Sequence, residues 1–151
     1  MPNSAAIRRV FLSPLPTYSL AEAAALLGMS TGEVGEWMAV GELEGVETGG
    51  GLAVAWDELV SFGMDFWSQE AVEEALGSDL AEAIPELLRL ADLSVRIPRL
   101  QVVTLERLAA SDGQTVSAVL ARELRDLVSA HAEWLSVEVA GFAEALAWPH
   151  G

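Results

Sequence analysis

The sequence predicts a mainly α-helical protein with a few short strands, and three observations carry that prediction. Apolar residues recur at three- and four-residue spacing through most of the 151 positions. Gly-containing breaks divide these runs into short helices. Strict alternation appears only briefly, at Leu93-Ser94-Val95-Arg96-Ile97, while Gly49-Gly50-Gly51 followed by Leu52-Ala53-Val54-Ala55-Trp56 reads as a small hairpin.

The first residues form a proline-containing leader, in which Phe11-Leu12-Ser13-Pro14-Leu15-Pro16 interrupts any signal-peptide core behind Arg8 and Arg9. A cytosolic protein is therefore expected. From Ser19 to Val40, Leu20, Ala23, Ala24, Leu26, Leu27, Met29, Val34, Trp37 and Met38 mark two amphipathic helices. Ser19 with Glu22 has the spacing of a capping box, Gly28 closes the first helix, and Ser30 caps the second. The turn between them is only a few residues long. Residues 63–92 interleave Asp65, Glu70, Glu73, Glu74, Asp79, Glu82 and Glu86 with Val72, Leu76, Leu80, Ile84, Leu87, Leu88 and Leu90, and read as an acidic helical linker.

After the alternating strand and Pro98, Leu100, Val103, Leu105 and Leu108 should face inward on a helix from about Arg99 to Ser111. Asp112-Gly113-Gln114 ends that helix. Thr115 caps another, whose apolar side carries Val116, Val119, Leu120, Leu124, Leu127 and Val128. A lone strand on two helices has unpaired backbone groups, so residues 93–131 make sense as half of a dimer with antiparallel strands. Val95 and Ile97 would then face the helices, leaving Ser94 and Arg96 outward. Residues 132–151 are rich in aromatic and aliphatic groups: Trp134, Phe142, Leu146 and Trp148 either fold onto the protein's own core or anchor a partner.

Composition narrows the chemistry. Cysteine is absent, which removes disulfides and thiolate catalysis. All eight basic residues are arginine, so no P-loop or Schiff-base lysine exists. His131 and His150 are too far apart in sequence to suggest a metal motif, no nucleophile elbow or dinucleotide fingerprint occurs, and neither an enzyme nor a cofactor is expected. Apolar runs are too short to cross a bilayer, so no membrane partner is expected either. The net charge of −15 disfavours phosphate binding, yet five of the eight arginines fall between Ser94 and His131, where the local charge is +1.

Two family resemblances follow from these residues. The string SLAEAAALLGMSTGEVGEWMAVGELEGVETGGGLAVAWDELVSF, within residues 1–62, resembles the excisionase or MerR-type winged helix-turn-helix. It departs from that pattern where the family touches DNA, because the recognition helix carries Glu33 and Glu36 and the glycine-rich wing is not basic. The strand, Asp-Gly turn and Thr-capped helix of residues 93–131 resemble the ribbon-helix-helix fold. That resemblance implies a homodimer held through Val95 and Ile97, with Ser94, Arg96 and Arg99 and the N–H groups at Thr115, Val116 and Ser117 on operator DNA.

Two such modules, an acidic connection and an aromatic tail together resemble the antitoxins of type II toxin–antitoxin operons. The resemblance implies operator DNA and a basic protein toxin, of the PIN-type ribonuclease class, as partners. It places Trp134, Phe142, Leu146 and Trp148 against the toxin. A stand-alone transcriptional regulator and a dimeric adaptor that does not bind DNA are the other readings.

Overall fold

The computed structural model describes residues 3–149. They are mainly helical, with one small three-stranded sheet, and divide into two compact units. Unit 1 takes the described residues up to Leu90 and those from Ala145 onward; unit 2 is Ala91–Glu144.

Unit 1 begins with α1, Ser4–Leu12. The Asn3 carboxamide oxygen accepts from the Ala5 N–H at 2.9 Å and starts the helix. Ala6, Ile7, Val10 and Phe11 recur at helical spacing and are buried, while Arg8 and Arg9 stay outside. What the sequence presents as a leader is thus a core helix, marked by the same periodicity as the helices after it.

Strand β1, Thr17–Ser19, leads directly into α2, Leu20–Leu27, and α3, Thr31–Ala39. Both helices open with full capping boxes. The Glu22 N–H donates to Ser19 Oγ at 3.1 Å and the Ser19 N–H returns to Glu22 Oε1 at 3.2 Å; Ser30 and Glu33 repeat the arrangement at 3.2 and 2.7 Å. Gly28 sits between the helices at φ 71°, where its N–H reaches the Ala24 and Ala25 carbonyls. An L side chain is strained in that left-handed conformation, so glycine is the residue suited to the tight turn.

Strands β2, Val46–Thr48, and β3, Gly51–Ala55, form the expected hairpin around Gly49-Gly50. β3 is central: β1 pairs on its other edge with Tyr18 opposite Val54. Val54 is fully buried, whereas Leu52, two residues earlier on the same face and next to the hairpin turn, is 46% exposed. Helix α4, Trp56–Phe66, follows at once.

Residues 63–90 are not a linker. Helix α5, Gln69–Leu76, the short helix α6, Leu80–Ala83, and the flanking 3-10 turns put Trp67, Val72, Ala75, Leu76 and Ile84 into the same core as α1, α2 and β3. The apolar stripe under the acidic face is long enough to demand a partner, and α1 supplies it. Arg8 Nη1 donates to the Ala75 and Leu76 carbonyls at 3.0 and 3.1 Å, satisfying groups left open at the end of α5. Trp67 lies so close over Gly63 that a Cβ there would stand 2.6 Å from its ring carbons.

Unit 2 contains α7, Arg99–Asp112, and α8, Val116–Ala130, joined by a turn. Gly113 adopts φ 63° and returns its N–H to the Ala109 and Ala110 carbonyls, while Thr115 caps α8. Both boundaries lie within a residue of those the sequence predicts. Helix α9, Ala132–Glu138, continues from α8, and α10, Phe142–Ala147, carries the chain from unit 2 into the residues of unit 1.

Candidate nucleic-acid interface

The alternating segment forms no strand within the chain. Residues 89–98 carry no regular secondary structure, and every residue from 91 to 100 is exposed. Within the single chain Val95 is 53% and Ile97 39% exposed, not covered by its own helices. The physical reason is that a ladder needs a second strand, and this chain has no other one in unit 2. Ser94 and Arg96 are exposed, and so are their neighbours.

Arg99 opens α7 directly after Pro98. Together with Ile97, Val102, Val103 and Glu106 it lines a shallow depression. Among the described residues Arg96, Arg99, Arg107 and Arg125 have no ion pair, whereas Arg122 meets Asp112 at 3.1 Å and Glu123 at 3.7 Å. The four exposed guanidiniums are the cationic resource of unit 2. Thr115 Oγ1 accepts from the Ala118 N–H at 3.1 Å, so its hydroxyl completes the helix cap. Val116 and Ser117 follow in the exposed first turn, and Val116 is 38% exposed.

Apolar exposure is the other feature of unit 2. Leu100 is 78% and Leu108 40% exposed, and on α8 Val116, Leu124, Leu127 and Val128 are exposed as well. Only Ala109 and Val119 are buried among the apolar residues of this unit. The inward face predicted for α7 therefore has no interior to enter: two helices side by side cover each other along a single seam.

Unit 1 offers the opposite electrostatics. No lysine, arginine or histidine occurs between Arg9 and Arg89. Arg8 caps α5 and pairs with Asp79 at 2.5 Å, and Arg89 donates from Nε to the Ile84 carbonyl and from Nη2 to the Ala81 carbonyl at 2.9 and 3.1 Å. Glu33 and Glu36 are exposed on α3. The N–H of Ser30, then its hydroxyl, holds the Glu33 carboxyl below its ordinary range; the N–H and hydroxyl of Ser19 do the same for Glu22, aided by Arg9. Both groups keep their negative charge into mild acid.

The tail residues separate. Trp134 is 60% and Leu146 39% exposed, and Phe142 is half-buried. Of the two roles the sequence leaves open for the tail, Trp148 takes the internal one, packing against the core of unit 1, stacked on Phe11 and edge-on to Trp56. Aromatic density alone does not distinguish an internal seal from an external anchor. Two further features escape the sequence reading: the capping roles of Arg8 and Arg89, and a cluster of Trp37, Phe62 and Phe66 in unit 1. The clue to the cluster is the four-residue spacing of Phe62 and Phe66.

No group of three or more His, Cys, Asp or Glu residues suited to a metal ion occurs among the described residues. No helix among them is long and apolar enough to cross a membrane. Compared with protein-family models, with curated proteins and with solved structures, the chain matches none.

Proposed function

We propose that this chain is the operator-binding antitoxin of a toxin–antitoxin pair, acting as a ribbon-helix-helix homodimer. The observation that carries the reading is the exposed alternating segment 93–97 leading into two helices that bury only Ala109 and Val119. A unit so thinly covered is stabilised by a second copy. Antiparallel pairing of two such segments satisfies their backbone N–H and C=O groups, and turns Val95 and Ile97 of both copies toward the four helices.

Alternation then sets Ser94 and Arg96 on the opposite face of the ribbon. A guanidinium there reaches guanine O6 and N7 in the major groove, with Arg99 and the amides of Thr115, Val116 and Ser117 on phosphates. The helix pair, hairpin and following helix of unit 1 have the element order of the winged helix-turn-helix that its sequence resembles. Its α3 and hairpin, however, carry carboxylates without a cation, so DNA reading belongs to unit 2 and the acidic unit suits a basic protein toxin, of the PIN-type ribonuclease class. Trp134 and Leu146 remain on the tail as exposed groups for that partner.

A gel shift on the DNA upstream of the protein's own gene tests the reading. Arg96→Ala weakens specific binding by about 1–3 kcal/mol, while Arg9→Ala changes it little. Unchanged affinity on Arg96→Ala contradicts the ribbon as reader. The net charge of −15 favours a second reading, a dimeric adaptor that leaves DNA alone, and absence of any shift at low salt supports that one instead.

A further inference from the structure

Three rings in unit 1 form a cluster that opens to solvent. Trp37 lies edge-on to Phe62 at 5.6 Å and to Phe66 at 5.8 Å, and Phe62 meets Phe66 at 4.8 Å. Phe62 is buried, Trp37 half-buried and Phe66 47% exposed. On α3 and its cap, Glu33, Glu36, Trp37 and Val40 fall at the spacing of one helix face, and Val40 is 69% exposed. Asp65, next to Phe66, is exposed too.

This face therefore combines ring surface, aliphatic surface and carboxylates. With Arg8 and Arg89 both engaged on backbone carbonyls and no cationic side chain between Arg9 and Arg89, unit 1 supplies little to neutralise it. Ring faces attract cations, and a guanidinium suits the setting better than an ammonium because it stacks on rings while hydrogen-bonding carboxylates. Nucleic acid is repelled by the same carboxylates. A second copy would bring another chain of net charge −15.

We propose that this α3–α4 face binds an arginine-bearing, partly apolar segment of a basic protein. The inference rests on the reading that the chain has a basic protein partner, and it assigns that partner's contact to unit 1 in addition to the exposed tail residues. Trp37 and Phe66 supply the ring contacts, Val40 extends the apolar strip, and Glu36 and Asp65 pair with the guanidiniums at the rim.

The test titrates the full-length protein into a fluorescein-labelled decapeptide of alternating arginine and leucine, read by fluorescence anisotropy. A peptide with glutamine for arginine serves as the uncharged comparison. Phe66→Ala and the double variant Glu36→Gln with Asp65→Asn should each weaken binding about tenfold, equivalent to ~1.4 kcal/mol. Glu70→Gln with Glu74→Gln, on α5, should change it less than about twofold. The Glu36 and Asp65 side chains make no hydrogen bond among the described residues, so their replacement leaves the fold intact, as a melting curve will verify. Equal losses from the α5 pair, or binding indifferent to both α3–α4 variants, overturn this surface while leaving a basic partner possible elsewhere. Failure of the wild-type protein to bind the arginine peptide at low salt overturns both.

Discussion

Trp148 lies nearly parallel to Phe11, with ring centroids 6.0 Å apart and planes at 12°, and stands edge-on to Trp56 at 6.2 Å. Phe11 is in turn edge-on to Trp67 at 6.2 Å, and the Trp56 indole N–H donates to the Val10 carbonyl at 2.9 Å. The last described residues thus seal unit 1 over α1.

Replacing Trp148 with alanine removes those ring contacts. Stability of unit 1 should fall by about 2–4 kcal/mol, the lower end of the range reflecting that Trp148 is only half-buried. Urea unfolding followed by circular dichroism measures it. A change below about 0.5 kcal/mol contradicts the packing role.

Gly63 is required by the approach of Trp67, whose ring carbons stand 2.6 Å from where a Cβ would be built. Gly63→Ala gains helix propensity but forces the buried indole to move. The clash should win, with a net loss of about 1–3 kcal/mol in a thermal or denaturant melt.

Thr115→Ala removes the hydroxyl that accepts from Ala118 N–H, and should cost about 1 kcal/mol in stability. Thr115→Ser keeps an acceptor and should restore most of it. Hydrogen exchange at Ala118 reports the loss locally.

How much of this was legible in the sequence depends on how local each cause is. Ser19 with Glu22, Gly28 between its helices, and Thr115 after Gly113 are all decided within a turn or two, and the structure places them where the spacing predicts. Arg8 on the Ala75 and Leu76 carbonyls, and Trp148 on Phe11, join residues far apart in the chain, which no window of neighbours reveals. The acidic stretch from Gly63 has the look of a linker because charge is visible in sequence and the helix that covers its apolar side is not. Ser94 and Arg96 stand apart from both cases: every residue around them is exposed, and the strand pairing proposed for their alternation requires a second molecule, which one chain's sequence does not contain.

Acid should loosen the α2–α3 pair first at its caps. The carboxyls of Glu22 and Glu33 are held below their ordinary value of 4.5 by N–H donors at Ser19 and Ser30. Because the folded value is depressed, the stabilisation is complete above the unfolded value and is lost as pH falls through 4.5 toward the folded one. Exchange of the Ser19 and Ser30 amides should therefore accelerate, relative to other amides of the same helices, as the buffer is taken down through that window. Glu22→Gln and Glu33→Gln should flatten the dependence at their own caps.

The proposed dimer pairs Leu93–Ile97 with the same segment of a second chain. Light scattering on the eluting protein at micromolar concentration should give twice the 16.0 kDa of one chain for the wild type, and the single-chain mass for Val95→Pro, which removes a ladder donor. A wild-type protein that elutes at 16.0 kDa under those conditions contradicts it.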